Sequence, residues 1–275
     1  MQKMTHALLV ATLACAAAPA LAADAPAAAP APDYTLTANV GLTSQYVYRG
    51  ITQTAEKPAI QGGADFTHSS GLYLGTWGSN ISWYSDNPGN VAVAGTSNSV
   101  SMEWDLYGGY RNTIGDIGYD VGVLQYYYPG RYVALPAGVV KPDTTEIYGA
   151  LSYKWVTGKV SYVVSNGLFG VDKADGSYYL DLTANIPVVD TWTINAHVGN
   201  QHYAGTAVAG GVSNNSLYSY TDWKLGVTKD LGTGWSATAY YTDTNAKDAG
   251  YKSTAYNGGK NLGEGHFVVA ASKTF

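Results

Sequence analysis

The side chains that could do chemistry are few. Beyond the N-terminal segment the histidines are His68, His197, His202 and His266, and no HExxH, CxxC or GxSxG pattern accompanies them. A hydrolase or a zinc centre would need nucleophile, base or ligand partners at set spacing. These histidines therefore read as solvated polar groups, and no catalytic residue, metal or cofactor is expected. Asp243-Thr244-Asn245-Ala246-Lys247-Asp248 starts like a calcium loop, but it has Asp248 where the sixth-position Gly belongs and no Glu at the twelfth. Four tyrosines stand out instead. Alternation turns Tyr126, Tyr128, Tyr148 and Tyr179 to a polar face near one end of their segments, where they could stack on sugars or other flat solutes.

The elements that position them follow period two. Leu36, Ala38, Val40, Leu42, Tyr46 and Tyr48 share one face, and Thr37, Asn39, Thr43, Gln45 and Arg49 share the other, which predicts a strand over 35–49. Val100 to Arg111, Thr145 to Trp155, Tyr178 to Ile186 and Trp192 to Val198 repeat the pattern. Twelve strands are expected, starting near Thr35, Pro58, Gly71, Ser99, Gly115, Thr144, Gly158, Ser177, Thr191, Ser219, Gly234 and His266. In the third, Leu72 to Trp83, both faces carry apolar groups.

The connections alternate strictly between short and long. Ser69-Ser70, Asn112–Gly115, Thr157-Gly158, Val188–Asp190 and Gly232–Gly234 are tight, whereas 50–57, 85–98, 129–143, 166–176, 204–218 and 245–265 are long and polar. All short turns then lie at one end and all long loops at the other, as in outer-membrane barrels. A soluble β-sandwich has no reason to sort its loops in this way.

The apolar faces carry no charge at mid-strand. The charges fall on the polar face: Arg49, Asp65, Glu103, Asp105, Arg111, Asp120, Glu146, Lys154, Lys159, Asp181, Asp222 and Lys224. A soluble core would have to bury them at high cost, while a wet lumen does not. Seven are acids and five are bases, so a mild cation preference is expected of a pore they line. Inward-facing Gly63, Gly109, Gly122, Gly226, Ser161 and Ser236 suggest open space there.

Aromatic residues of the apolar faces gather at strand ends, as interfacial girdles do. Tyr46, Tyr48, Trp83, Tyr127, Tyr178, Tyr241 and Phe267 fall toward the long loops, and Tyr110, Tyr119, Tyr153, Trp155, Trp192, Trp235 and Phe275 toward the short turns.

Composition agrees with this all-β, transmembrane antiparallel β-barrel. Only 13% of the 275 residues are charged, Tyr numbers 24 and Gly 33, and the formal charge is -5. The charge argues against a nucleic-acid partner. Lys3, the apolar run Ala7 to Ala18 and the A-x-A site Ala20-Leu21-Ala22 make 1–22 a cleaved signal peptide, which would remove Cys15, the single cysteine. Residues 23–34 read as an Ala/Pro-rich linker and 35–275 as the barrel.

The last strand, His266 to Phe275, is similar to the C-terminal assembly signal of outer-membrane proteins, except that Lys273 stands where an apolar residue is usual. Near the interface such a lysine can snorkel. LTANVGLTSQYVYRGITQT (Leu36 to Thr54), PAIQGGADFTHSSGLYLGTWGSNISW (Pro58 to Trp83), EWDLYGGYR, YDVGVLQYYYPG, TEIYGALSY, GSYYLDLTANIP, TDWKLGVTKDL and the terminal SKTF resemble the TorF-like family of outer-membrane porins over nearly the whole chain after the linker. The resemblance implies an outer-membrane porin and carries no substrate or site residues. The expected partners are outer-membrane lipid, the barrel assembly machinery and a small polar solute. A barrel enzyme acting on outer-membrane lipid and a non-conducting structural barrel are the alternatives.

Overall fold

The apolar face of each strand must meet something other than water, and the chain solves this by closing on itself with those faces outward. The computed structural model describes residues 32–86, 99–132, 135, 138–206, 211–252 and 259–275. The expected signal peptide, 1–22, and most of the expected linker, 23–34, lie outside the described residues. In chain order the strands are β1 (Tyr34–Thr43), β2 (Val47–Tyr48), β3 (Ile51–Thr52), β4 (Ala59–His68), β5 (Leu72–Asn80), β6 (Met102–Ile114), β7 (Ile117–Tyr127), β8 (Thr144–Tyr153), β9 (Val156–Val163), β10 (Tyr178–Val189), β11 (Trp192–His202), β12 (Tyr220–Gly232), β13 (Trp235–Thr244) and β14 (His266–Thr274). Two short helices, α1 (Asn214–Tyr218) and α2 (Asp248–Tyr251), sit in long loops.

Twelve strands, all but β2 and β3, form one closed antiparallel barrel, each paired with its sequence neighbours. The seam joins β1 to β14 through pairs such as Val40 with Lys273 and Leu42 with Ala271. Every expected strand start falls within three residues of an observed one. Closure leaves no unpaired sheet edge, the condition for crossing a bilayer with strands. The outer surface is apolar: Leu36, Leu74 and Leu151 are 67%, 65% and 63% exposed. An apolar band of this extent belongs in lipid rather than in water. Lys273 lies on that face near the turns, donates to the Thr233 carbonyl, and sits over the Trp235 and Phe275 rings.

The short turns follow from backbone chemistry. Gly71 has φ +103°, and a Cβ there would come within 2.3 Å of the Arg111 carbonyl oxygen. Lys154, expected in the lumen, instead occupies the tight turn between β8 and β9 with φ +54°. It is exposed, with its ammonium 5.2 Å from the Tyr153 ring centroid. The expected turn began three residues later, at Thr157, and that offset carried Lys154 into a strand.

The first strand is shorter than expected. It stops at Thr43, whose hydroxyl donates to the Gln45 carbonyl (2.8 Å) and turns the chain inward. Residues 44–58 then fold into the barrel as the β2–β3 hairpin. Its two-residue turn is Arg49-Gly50, with φ +47° and +76°. Positive φ at both positions is the type I′ geometry that tight hairpins favour. Tyr46 and Tyr48 are therefore inside the barrel rather than in the outer girdle. Trp83 is inside as well, packed edge-on against Tyr84 and Tyr128. The ambiguity of the third strand has the same cause: the inward Trp77 of β5 packs on the hairpin's Tyr46, with ring centroids 5.4 Å apart. Tyr127, Tyr241 and Phe267 at the loop end, and Tyr153, Trp155, Trp192, Trp235 and Phe275 at the turn end, do face outward and are exposed.

Candidate functional site

The hairpin crosses the lumen and is bonded to the walls along its course. On one side the Tyr46 hydroxyl donates to Glu103 Oε1 of β6 (2.6 Å), and the Tyr48 hydroxyl bonds that of Tyr126 on β7. At the tip, Arg49 reaches the opposite wall. Its Nη1 and Nη2 donate to the two carboxylate oxygens of Glu146 on β8 at 2.9 and 2.8 Å, and Nη1 also donates to Gln201 Oε1 of β11 at 2.8 Å. The guanidinium carbon lies 4.2 Å from the Tyr179 ring centroid and 5.0 Å from that of Tyr48. Gly50 fits because it has no side chain: a Cβ there would stand 2.4 Å from Thr244 Cγ2 and 2.7 Å from Asp222 Cβ.

The other predicted lumen charges divide by wall. On β4, β6 and β7 three of the four predicted acids are held by phenols. Asp65 accepts from Tyr107 (2.7 Å), Glu103 also from Tyr128 (2.8 Å), and Asp120 from Tyr73 (2.6 Å). Asp105 is buried under the hairpin, and its Oδ1 has no hydrogen-bond partner among the described residues. Arg111 donates to Thr67 (2.8 Å) and lies over the Tyr73 ring. Across the lumen, His197 is clamped between Asp181 (Nδ1, 3.1 Å) and Asp222 (Nε2, 2.9 Å). Tyr179 donates to Asp222 as well (2.8 Å). His197 is thus a bridging residue 10% exposed rather than a solvated one. Lys159 sits 4.1 Å from the Tyr148 ring centroid and Lys224 5.3 Å from that of Tyr240.

All four mouth tyrosines point inward, and each is already engaged. Tyr126 packs against Tyr48 and Phe169, and Tyr128 against Trp83. Tyr148 bonds the Tyr73 hydroxyl, and Tyr179 lies under Arg49. The glycines expected to leave open space are where tyrosine side chains lie against the wall. A Cβ on Gly122 would be 2.5 Å from the Tyr148 hydroxyl oxygen, and one on Gly226 2.4 Å from Tyr240 Cβ.

Two cavities lie on either side of the hairpin. The outer one, about 440 Å³, lies among the long loops and is walled by Trp83, Tyr84, Phe169, Tyr203, Tyr218 and Tyr251 among others. Burial pushes the Tyr84 phenol up to about 12, so it stays neutral there. The inner one, about 290 Å³, runs along β9 to β13 and includes Lys159, Asp181, Thr183, His197, Asp222 and Lys224. Only Tyr48 and Arg49 line both.

Sequence reasoning placed Arg49 in the lumen but missed its partners Tyr48 and Gln201 and the hairpin that carries it. The available signal was Arg49-Gly50, a turn dipeptide inside what reads as one long strand.

A closed antiparallel barrel with a lipid-facing exterior and an ionic constriction defines a transmembrane β-barrel protein. The chain belongs to the family described as bacterial protein of unknown function (Gcw_chp), which matches residues 27–275. That match does not make the finer TorF-like assignment. No curated protein matches the sequence. Among solved structures the fold is similar to the KdgM porin (TM-score 0.48, 7% identity, covering 87% of this chain and 99% of that one). It is likewise similar to the NanC porin (0.49, 12%, 87% and 99%) and to an outer membrane channel from Pseudomonas putida F1 (0.48, 12%, 92% and 100%).

Proposed function

We propose that this chain is an outer-membrane porin of the TorF-like kind, exported by its signal peptide, inserted by the barrel assembly machinery, and passing small polar solutes around the β2–β3 hairpin. The observation that carries this reading is the pair of cavities, about 440 and 290 Å³, that share Tyr48 and Arg49 as lining inside a closed barrel. A solute entering from the long-loop side reaches the aromatic cavity first, then Arg49, then the polar inner cavity. The ionic groups converge inside the lumen and not at a lipid-facing edge, which favours a channel over an enzyme acting on membrane lipid. With Lys154 in a turn, the lumen set has seven acids against four bases, so the reading keeps a mild cation preference.

The bulk of the hairpin favours a second reading, a non-conducting structural barrel. Single-channel recording in planar bilayers separates the two. Discrete conductance steps in KCl are expected, and their complete absence from correctly folded protein would overturn the channel reading in favour of a structural or enzymatic barrel.

A further inference from the structure

We propose that Arg49, which lines both cavities, is the receptor for a small organic carboxylate; this rests on the channel reading and names the solute class for it. A guanidinium has five N–H donors. Three are engaged: Nη1 with Glu146 and with Gln201, and Nη2 with Glu146. The remaining two, Nε–H and the second Nη2 hydrogen, share one edge of the fork and meet no acceptor among the described residues. The Tyr179 and Tyr48 rings also pack on the guanidinium, 4.2 and 5.0 Å from its carbon. The side chain is 6% exposed, so the vacant edge is a pair of parallel donors held rigidly in a mostly water-free setting. Such a pair matches the two oxygens of a carboxylate, and the planar fork makes the match bidentate. Because Arg49 lines both cavities, the ligand can reach it without crossing the wall.

The inner cavity supplies a second observation. Its carboxylates, Asp181 and Asp222, are both held by His197. Its two lysines, Lys159 and Lys224, form no ion pair among the described residues and rest on tyrosine rings. Donation from both ring nitrogens makes His197 a cation that offsets one of the two carboxylates, so with Lys159 and Lys224 this cavity is net positive although the formal sum of the lumen is negative. Ser161, Thr183 and Thr242 line the same cavity and offer hydroxyl partners. The solute that fits is a hydroxylated carboxylate: the carboxylate on Arg49, its far end toward Lys159 or Lys224.

The experiment compares D-gluconate with sorbitol, which has a similar polyhydroxylated chain but no carboxylate. Each is titrated against the KCl conductance of wild type, Arg49→Lys and Glu146→Gln in planar bilayers, with calorimetric titration of the same detergent-solubilised proteins alongside. Gluconate should block wild type saturably and sorbitol should not. Arg49→Lys keeps the charge but loses the fork, and should weaken gluconate by about tenfold or more. Glu146→Gln removes the competing carboxylate, while its amide oxygen, the Arg49–Gln201 bond and the Tyr46–Glu103 bond keep the hairpin docked, so it should tighten gluconate several-fold, a gain that misfolding cannot produce. Equal action of sorbitol, unchanged affinity in Arg49→Lys or no tightening in Glu146→Gln would overturn the assignment. Absence of conductance in wild type would sink the channel reading alone, and calorimetry on the three proteins would still decide the carboxylate site.

Discussion

Replacing Arg49 by Ala should undock the hairpin and reveal the width of the barrel behind it. In the docked state Glu146 is 1% exposed and takes both oxygens' worth of bonding from Arg49. Removing one member of a buried ion pair costs about 3–5 kcal/mol, because the other charge is stranded. Undocking hydrates Glu146 and relieves that cost, so it acts on the docked state alone. At a factor of ten per about 1.4 kcal/mol, the undocked population should rise by roughly a hundredfold to a few thousandfold. The conductance of that state can be bounded. Twelve strands about 4.8 Å apart, tilted about 40°, give a backbone radius of about 12 Å. Side chains of about 5 Å on each wall leave an opening about 14 Å across, and a hairpin about 10 Å wide would cover about four-fifths of it. Single-channel traces of Arg49→Ala should therefore show a level about fivefold above the wild-type step, visited far more often. Arg49→Ala/Glu146→Ala strands no charge and keeps the Tyr46–Glu103 bond, so it should return toward the wild-type trace. Heat-modifiable migration of both variants checks that the barrel is intact. An Arg49→Ala trace identical to wild type, or a double variant as open as the single, would refute the reasoning.

Three further outcomes are expected. A protease site inserted after Gly211, in a long loop, should be cut in intact cells, and one after Thr233, in a short turn, should not; the reverse pattern would invert the topology. Deleting Phe275 removes the amide that donates to the Ala38 carbonyl (2.8 Å) across the β1–β14 seam, and the yield of membrane-embedded, heat-modifiable protein should fall. Reversal potentials under a KCl gradient should show a mild cation preference that fades as salt rises, because charges are screened beyond about 10 Å at 0.1 M. Marked anion selectivity would show that Lys159, Lys224 and Arg49 dominate the constriction.

The barrel was legible in the sequence because its two governing signals are local. Period-two alternation assigns each residue to lipid or lumen, and loop length assigns each connection to one end. Those signals place every barrel strand and turn the tyrosines Tyr126, Tyr148 and Tyr179 inward. They fail where the environment is the same on both faces of a segment. Residues 44–57 alternate like the strand before them, yet both sides of the hairpin are inside the barrel, so Tyr46 and Tyr48 carry the lipid-facing pattern while bonding Glu103 and Tyr126. Trp83 is misplaced for the same reason. Pairing fails differently: no local rule connects Arg49 with Glu146 and Gln201, which are 97 and 152 residues away and meet it only after closure. The charge count shows what this omission does. Summed over the sequence the lumen is acidic, but Glu103 and Asp105 are sealed under the hairpin, and Asp181 and Asp222 are tied to His197. Along the inner cavity the groups left to meet a passing solute are the edge of Arg49 and the two lysines, while Asp65 and Asp120 stay partly exposed elsewhere on the wall. The local chemistry met by a solute is therefore set by which charges the hairpin leaves uncovered, while the sign of the whole lumen sets only a weak, salt-screened bias on simple ions.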